Sequence, residues 1–298
     1  MADSSGAVHH ERMPVSQSSA TASPDAAALP RPERVELLNL MLEKTARGGV
    51  PIRRAFLQTA KPHAGTRASA LAELVRTRDE SALDAYLLIH AMASSSDPYR
   101  TWFPAATWAR VTSLDAFAGE EAAKARWSKV VSKLVKLGLV KRERSGNKMN
   151  YWLLHENGTG EDYKRPTALA HGSWFSIPHH YWTAGHDQLL TLPEKAMLLI
   201  ALDQPDASRL PYDQMPAWYG LSPSTAERGL TGLLGRLDYI DMSSEWKVEP
   251  KSATGWTEIR RYTTIGHWSI SSRKAALPKS ERRRRPAFAG ADAESDPT

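Results

Sequence analysis

The 298-residue chain contains no cysteine, which excludes disulfides, thiolate zinc sites and cysteine nucleophiles together. It has no apolar run near the roughly 20 residues that span a bilayer, and no apolar core of a secretory signal at its start. The expectation is a cytoplasmic, nucleoid-associated protein with no membrane partner. Phosphate-cradling GxxxxGK[ST] loops, GxSxG nucleophile elbows, HExxH helices and His-x-His metal pairs are missing as well. Those absences point away from an enzyme and from a cofactor. His171, His179, His180 and His186 are the only cluster that invites a metal, but their spacing fits no zinc pattern and no thiolate completes a tetrahedron. Beside Tyr181 and Trp182 they read as packing or hydrogen-bonding groups.

What is present suffices for two domains: 41% hydrophobic and 24% charged residues. The net charge of +6 suits a polyanionic partner without requiring one. Residues 212–240 carry the clearest pattern. A short helix ends at Tyr219, Gly220 permits a sharp bend, and Ser222 with Pro223 is a cap-then-proline start for a second helix. Ala226, Leu230, Leu233, Leu234 and Leu237 recur at helical spacing, which leaves Ser224, Thr225, Arg228 and Thr231 on another face. Strands at 246–248 and 256–262 follow, joined by a turn-rich stretch holding Lys251 and leading to Arg260.

An earlier stretch runs in the same order. Ser81 and Asp84 look like a cap ahead of Leu83, Tyr86, Leu87 and Met92; a short helix is expected at 104–110 and a long one at 119–137. The long helix sets Trp127, Val130, Val131, Leu134 and Leu137 on one stripe, with Lys124, Arg126, Lys129, Lys133 and Lys136 off it. Residues 139–144 and 149–154 then read as a hairpin around Ser145-Gly146-Asn147-Lys148, flanked by Lys141, Arg142 and Arg144. A basic hairpin directly after a basic helix suits contact with phosphates.

The stretch from Asp84 to Ile89 aligns with that from Lys195 to Ile200, and Leu137-Gly138-Leu139-Val140 aligns with Leu237-Asp238-Tyr239-Ile240. The reading is therefore α+β, mainly helical: a disordered segment at 1–29, one unit at 30–165, a second at 166–272, and a disordered basic tail at 273–298. A linker is expected at 159–170 and a strand at 174–177 leading into the second unit. A Thr191 to Glu194 capping box opens that unit's first helix. The helix expected at 31–46 presents a wide apolar face, either packed on the following domain or used in a homodimer.

The segments YGLSPSTAERGL and LVKLGLVKRERSGNKMNYWLL resemble the winged-helix superfamily of DNA-binding proteins. The doubled arrangement is similar to that of bacterial tandem winged-helix regulators and plasmid replication initiators. The likeness covers about residues 83–268. It implies two winged helix-turn-helix domains in tandem, each with its third helix in a major groove of double-stranded DNA and its wing on adjacent backbone. Ser224, Thr225 and Arg228 would read bases in the second unit, with Ser222 and Thr231 beside them and Lys251 and Arg260 near the wing. In the first unit that role falls to Arg126, Lys129 and Lys133 with Lys124, supported by Arg142, Arg144, Asn147 and Lys148. A transcriptional regulator is the first expectation, and a replication initiator that recruits the replication machinery is the second. A protein-interaction adaptor is the third, because a fold does not fix a function.

Overall fold

The computed structural model describes residues 32–45, 47–60, 63–116, 119–166, 173–235 and 239–276, and its architecture is α+β. Helix α1 (Pro32–Glu43) leads into β1 (Gly49–Arg53). Then come α2 (Ala70–Arg76), α3 (Glu80–Met92), β2 (Arg100–Trp102), α4 (Ala105–Val111), α5 (Glu120–Lys136) and the hairpin of β3 (Val140–Ser145) and β4 (Lys148–Leu153). The second half runs β5 (Trp174–Pro178), α6 (His180–Thr183), α7 (His186–Leu189), α8 (Leu192–Asp203), α9 (Met215–Tyr219), α10 (Pro223–Gly235), β6 (Ile240–Val248), β7 (Trp256–Thr264) and α11 (Ile270–Ala276).

The halves repeat one order of elements: strand, helices, hairpin. In the first, β2 adds a third strand in the order β2-β4-β3. In the second, the isolated bridge between Ser208 and Tyr262 occupies the corresponding place beside β7. Strand β1 pairs antiparallel with β5, Pro51 facing Ser176, and all ten residues of the two strands are buried. The strand expected to lead only into the second half thus ties both halves together. One continuous cluster of buried apolar side chains extends from Leu38 to Trp268.

Polar groups also cross between the halves. Arg34 on α1 donates through Nε to the Val111 carbonyl at 2.8 Å and pairs with Asp187 of α7. The buried face of α1, with Leu38, Met41 and Leu42, is therefore used within the chain, while Leu40 is exposed. Near the other end, Thr66 Oγ1 donates to the Pro216 carbonyl and the Arg67 amide to that of Ala217. Gly220 sits against this segment at φ +68°, where an added Cβ would lie 2.5 Å from the Ala68 Cβ. The bend between α9 and α10 thus needs glycine twice over, for its backbone angle and for its neighbour.

Several expected boundaries shift for identifiable reasons. Helix α3 is capped by Asp79, whose carboxylate accepts from the Ala82 amide, and Asp84 instead faces Lys195. Residues 159–166 are no loose linker: Tyr163 and Arg165 are buried, and Arg165 donates to the Ser94 and Ser95 carbonyls. Residues 167–170 lie outside the described residues. Strand β6 begins at Ile240 rather than 246, because its first turns are polar and show no alternation. Residues 273–276, expected as part of a disordered tail, are ordered in α11, where Arg273 is buried and donates to the carbonyls of Trp268 and Leu202. The segments 1–29 and 277–298, with Leu237 and His171, fall outside the described residues. No described helix is long and apolar enough to cross a membrane.

Candidate nucleic-acid interface

Helix α5 buries Ala123, Trp127, Val131 and Leu134. That stripe stacks Trp127 on Trp108 of α4, ring centroids 5.0 Å apart and 5° from parallel. Trp127 Nε1 donates to the Tyr151 hydroxyl at 2.9 Å, which fixes the helix against β4. Between α5 and the hairpin an open cleft of about 310 Å³ remains. Its floor is Trp127, Val131, Met149 and Tyr151; its rim carries Lys124, Arg142, Arg144, Asn147 and Lys148; Trp102 and Phe103 close one side. Five residues singled out in the sequence therefore meet in one place.

Their electrostatic states differ. Lys124 is bound by Glu120 at 2.7 Å and Glu121 at 2.8 Å, and hydrogen bonds from those two carboxylates hold its ammonium above its ordinary value. Lys133 reaches Asp79 at 2.8 Å and the Thr77 hydroxyl at 2.6 Å, so it anchors α5 to the start of α3. Arg126 rests on the Leu114 carbonyl at 3.4 Å, and Arg142 on that of Ser128 at 3.5 Å. Lys129 and Arg144 are exposed and have no charged partner among the described residues. Lys148 places its ammonium 3.9 Å from the centre of the Trp102 ring. Residues 140–153 hold four cations against one carboxylate, Glu143, which bridges to Lys141.

The corresponding surface of the second half is of another kind. Ser222 caps α10, its Oγ accepting from the Thr225 amide at 3.2 Å and lying 2.8 Å from Thr225 Oγ1. Ser224, Arg228 and Thr231 are exposed along one side of the helix. Arg228 Nε donates to the Ser224 carbonyl. Glu194 accepts from the Thr191 amide at 2.7 Å, as the capping box at the start of α8 requires. Residues 240–264 balance four cations with four carboxylates: Arg260 pairs with Glu258 at 2.8 Å and Arg261 with Glu245 at 3.0 Å. Lys251 lies exposed between the strands. Alternation of side chains puts Met242, Trp246, Val248 and Trp256 on one exposed ribbon face.

No protein-family model, curated protein or solved structure matches this chain.

Trp102 and Phe103 were not legible as site residues. They sit in and after a three-residue strand too short for any periodicity, although the run Trp102-Phe103-Pro104 is itself an aromatic signal. His179, His180 and His186 pack as the sequence suggests. His186 Nδ1 meets the Tyr239 hydroxyl, and the His180 ring lies 4.0 Å from that of His267. Among the described residues no group of three ligands is arranged to hold a metal ion.

Proposed function

We propose that the chain is a sequence-specific binder of double-stranded DNA, built as two winged helix-turn-helix units in tandem and acting as a transcriptional regulator. The convergence of Arg142, Arg144, Asn147 and Lys148 with α5 around one cleft carries this reading. Cations on a helix and on the adjoining hairpin suit a groove and its flanking phosphates. The repeated order of elements and the bend at Gly220 support the same architecture in the second half.

The two halves divide the work. The first, with its surplus of positive charge, grips backbone; the second, with Ser224, Arg228 and Thr231 exposed on α10 and Thr225 half-buried beside them, reads bases. Regulation of transcription is preferred because two binding units suffice to occupy an operator without catalysis. Origin binding by a replication initiator uses the same surfaces and requires a recruited helicase. A protein-interaction adaptor is favoured by one observation, the exposed Met242, Trp246, Val248 and Trp256 face. Mapping genomic occupancy tests the ranking: promoter sites support regulation, a single origin site supports initiation, and absence of sites supports the adaptor.

A further inference from the structure

The cleft beside α5 is more than a cationic surface, because its walls are aromatic. Trp102 is 44% exposed, and Phe103 stacks beside it at 6.3 Å and 23°. A duplex backbone offers phosphates, for which arginine and lysine are enough; an exposed indole beside them has no partner in a paired helix. The volume of about 310 Å³ is at the small end of the range for ligand pockets and suits one ring system. Trp127 and Tyr151 below are locked by their own hydrogen bond, so the floor is preformed.

We propose that this cleft binds a single nucleotide, the base stacked on Trp102 and the phosphate held by Arg144 and Lys148. Lys148 now covers the indole face, 3.9 Å from its centre. An exposed contact between a cation and a ring is weaker than the stack of a base on tryptophan, so the base displaces the ammonium. The released ammonium remains beside the nucleotide's own phosphate. Asn147, whose side-chain amide has no hydrogen-bond partner among the described residues, stands at the rim to meet the edge of the base. The same chemistry has two sources: an unpaired nucleotide within bound DNA, or a free nucleoside monophosphate. The first source rests on the DNA-binding reading above, and the second does not.

The test uses the full chain with three probes: a paired duplex, the same duplex carrying one bulged 2-aminopurine, and free adenosine monophosphate. The expected result is that the bulged duplex binds about tenfold tighter than the paired one, with quenched 2-aminopurine fluorescence. Trp102→Ala should bring the ratio of the two affinities close to one, and Trp102→Phe should restore part of it. Monophosphate that competes with the bulged duplex, and loses its binding in Trp102→Ala, supports the free source. If both duplexes bind equally, without quenching, and the monophosphate does not bind, the nucleotide site is overturned while the DNA reading stands. If neither duplex binds but the monophosphate does, at Trp102, the DNA reading fails and the cleft remains a nucleotide site.

Discussion

Asp84 on α3 and Lys195 on α8 occupy aligned positions in the two halves, and they meet: the Lys195 ammonium lies 2.8 Å from both Asp84 oxygens. The antiparallel β1–β5 pair likewise joins the first half to the second. Burial pushes the Asp84 carboxyl up to about 7. Burial alone would lower Lys195, but the Asp84 and Glu80 carboxylates reverse that and hold it above its ordinary value. The ammonium against both oxygens favours the ionised pair, while burial brings the Asp84 carboxyl within reach of protonation near neutral pH.

Removing one partner should therefore cost more than removing both. Lys195→Met leaves a buried carboxylate without its counter-charge and is expected to destabilise by about 3–5 kcal/mol, whereas Asp84→Leu with Lys195→Met should recover most of that loss. Denaturant unfolding of the three proteins measures it. A double variant as unstable as the single one would contradict the pairing.

The bend at Gly220 makes a second expectation. Gly220→Ala meets both a left-handed backbone and the Ala68 Cβ, whereas Gly146→Ala, at φ +57° in the first hairpin, has nothing within 4 Å. Gly146→Ala should cost about 1–2 kcal/mol from backbone strain alone, and Gly220→Ala clearly more. Equal melting temperatures would place the α9–α10 bend away from the 66–72 segment.

His186 should contribute a loss of stability in acid, opposed by Asp84, whose raised carboxyl takes up its proton more readily in the fold. Burial, then the neighbouring His180 and His267, lowers its ring to about 4, and burial with the nearby Arg47 lowers His179 to about 4. Unfolded imidazoles titrate near 6.5, so the unfolded chain binds more protons between the two values. The contribution is complete above about 6.5 and is lost as pH drops towards 4. His186→Asn should flatten the decline of melting temperature between pH 7 and 4.5; an unchanged slope would remove His186 from the account.

Much of this arrangement was legible locally. The stripe of α5, its hairpin, the Thr191 to Glu194 box and the Ser222 cap all follow from spacing within a few residues. What escaped depends on distant partners. The β1–β5 pairing joins a strand near the start of the first half to the strand that opens the second, and Arg165 and Arg273 look solvated by composition because they have backbone carbonyls far along the chain as acceptors. The charge of α5 was visible in the sequence, but not that Lys124 and Lys133 are already engaged by Glu120, Glu121 and Asp79.

Base reading and backbone gripping should separate by mutation. Arg228→Ala is expected to cost about 1–3 kcal/mol at the cognate site and to relax sequence preference, whereas Arg144→Ala should weaken all duplexes alike. Competition with scrambled DNA distinguishes the two. Equal losses on cognate and scrambled duplex for Arg228→Ala would remove α10 from base recognition.

The most direct test of the account is duplex affinity as a function of salt, for the natural chain and for Arg142→Ala, Arg144→Ala and Lys148→Ala combined. With six to ten phosphate contacts, affinity should fall on the order of a thousandfold or more between about 50 and 200 mM salt. The triple variant should bind more weakly, and its slope of log affinity against log salt should be shallower by about 3. Affinity indifferent to salt, or a triple variant with the natural slope, would contradict the assignment of this cleft and hairpin to DNA.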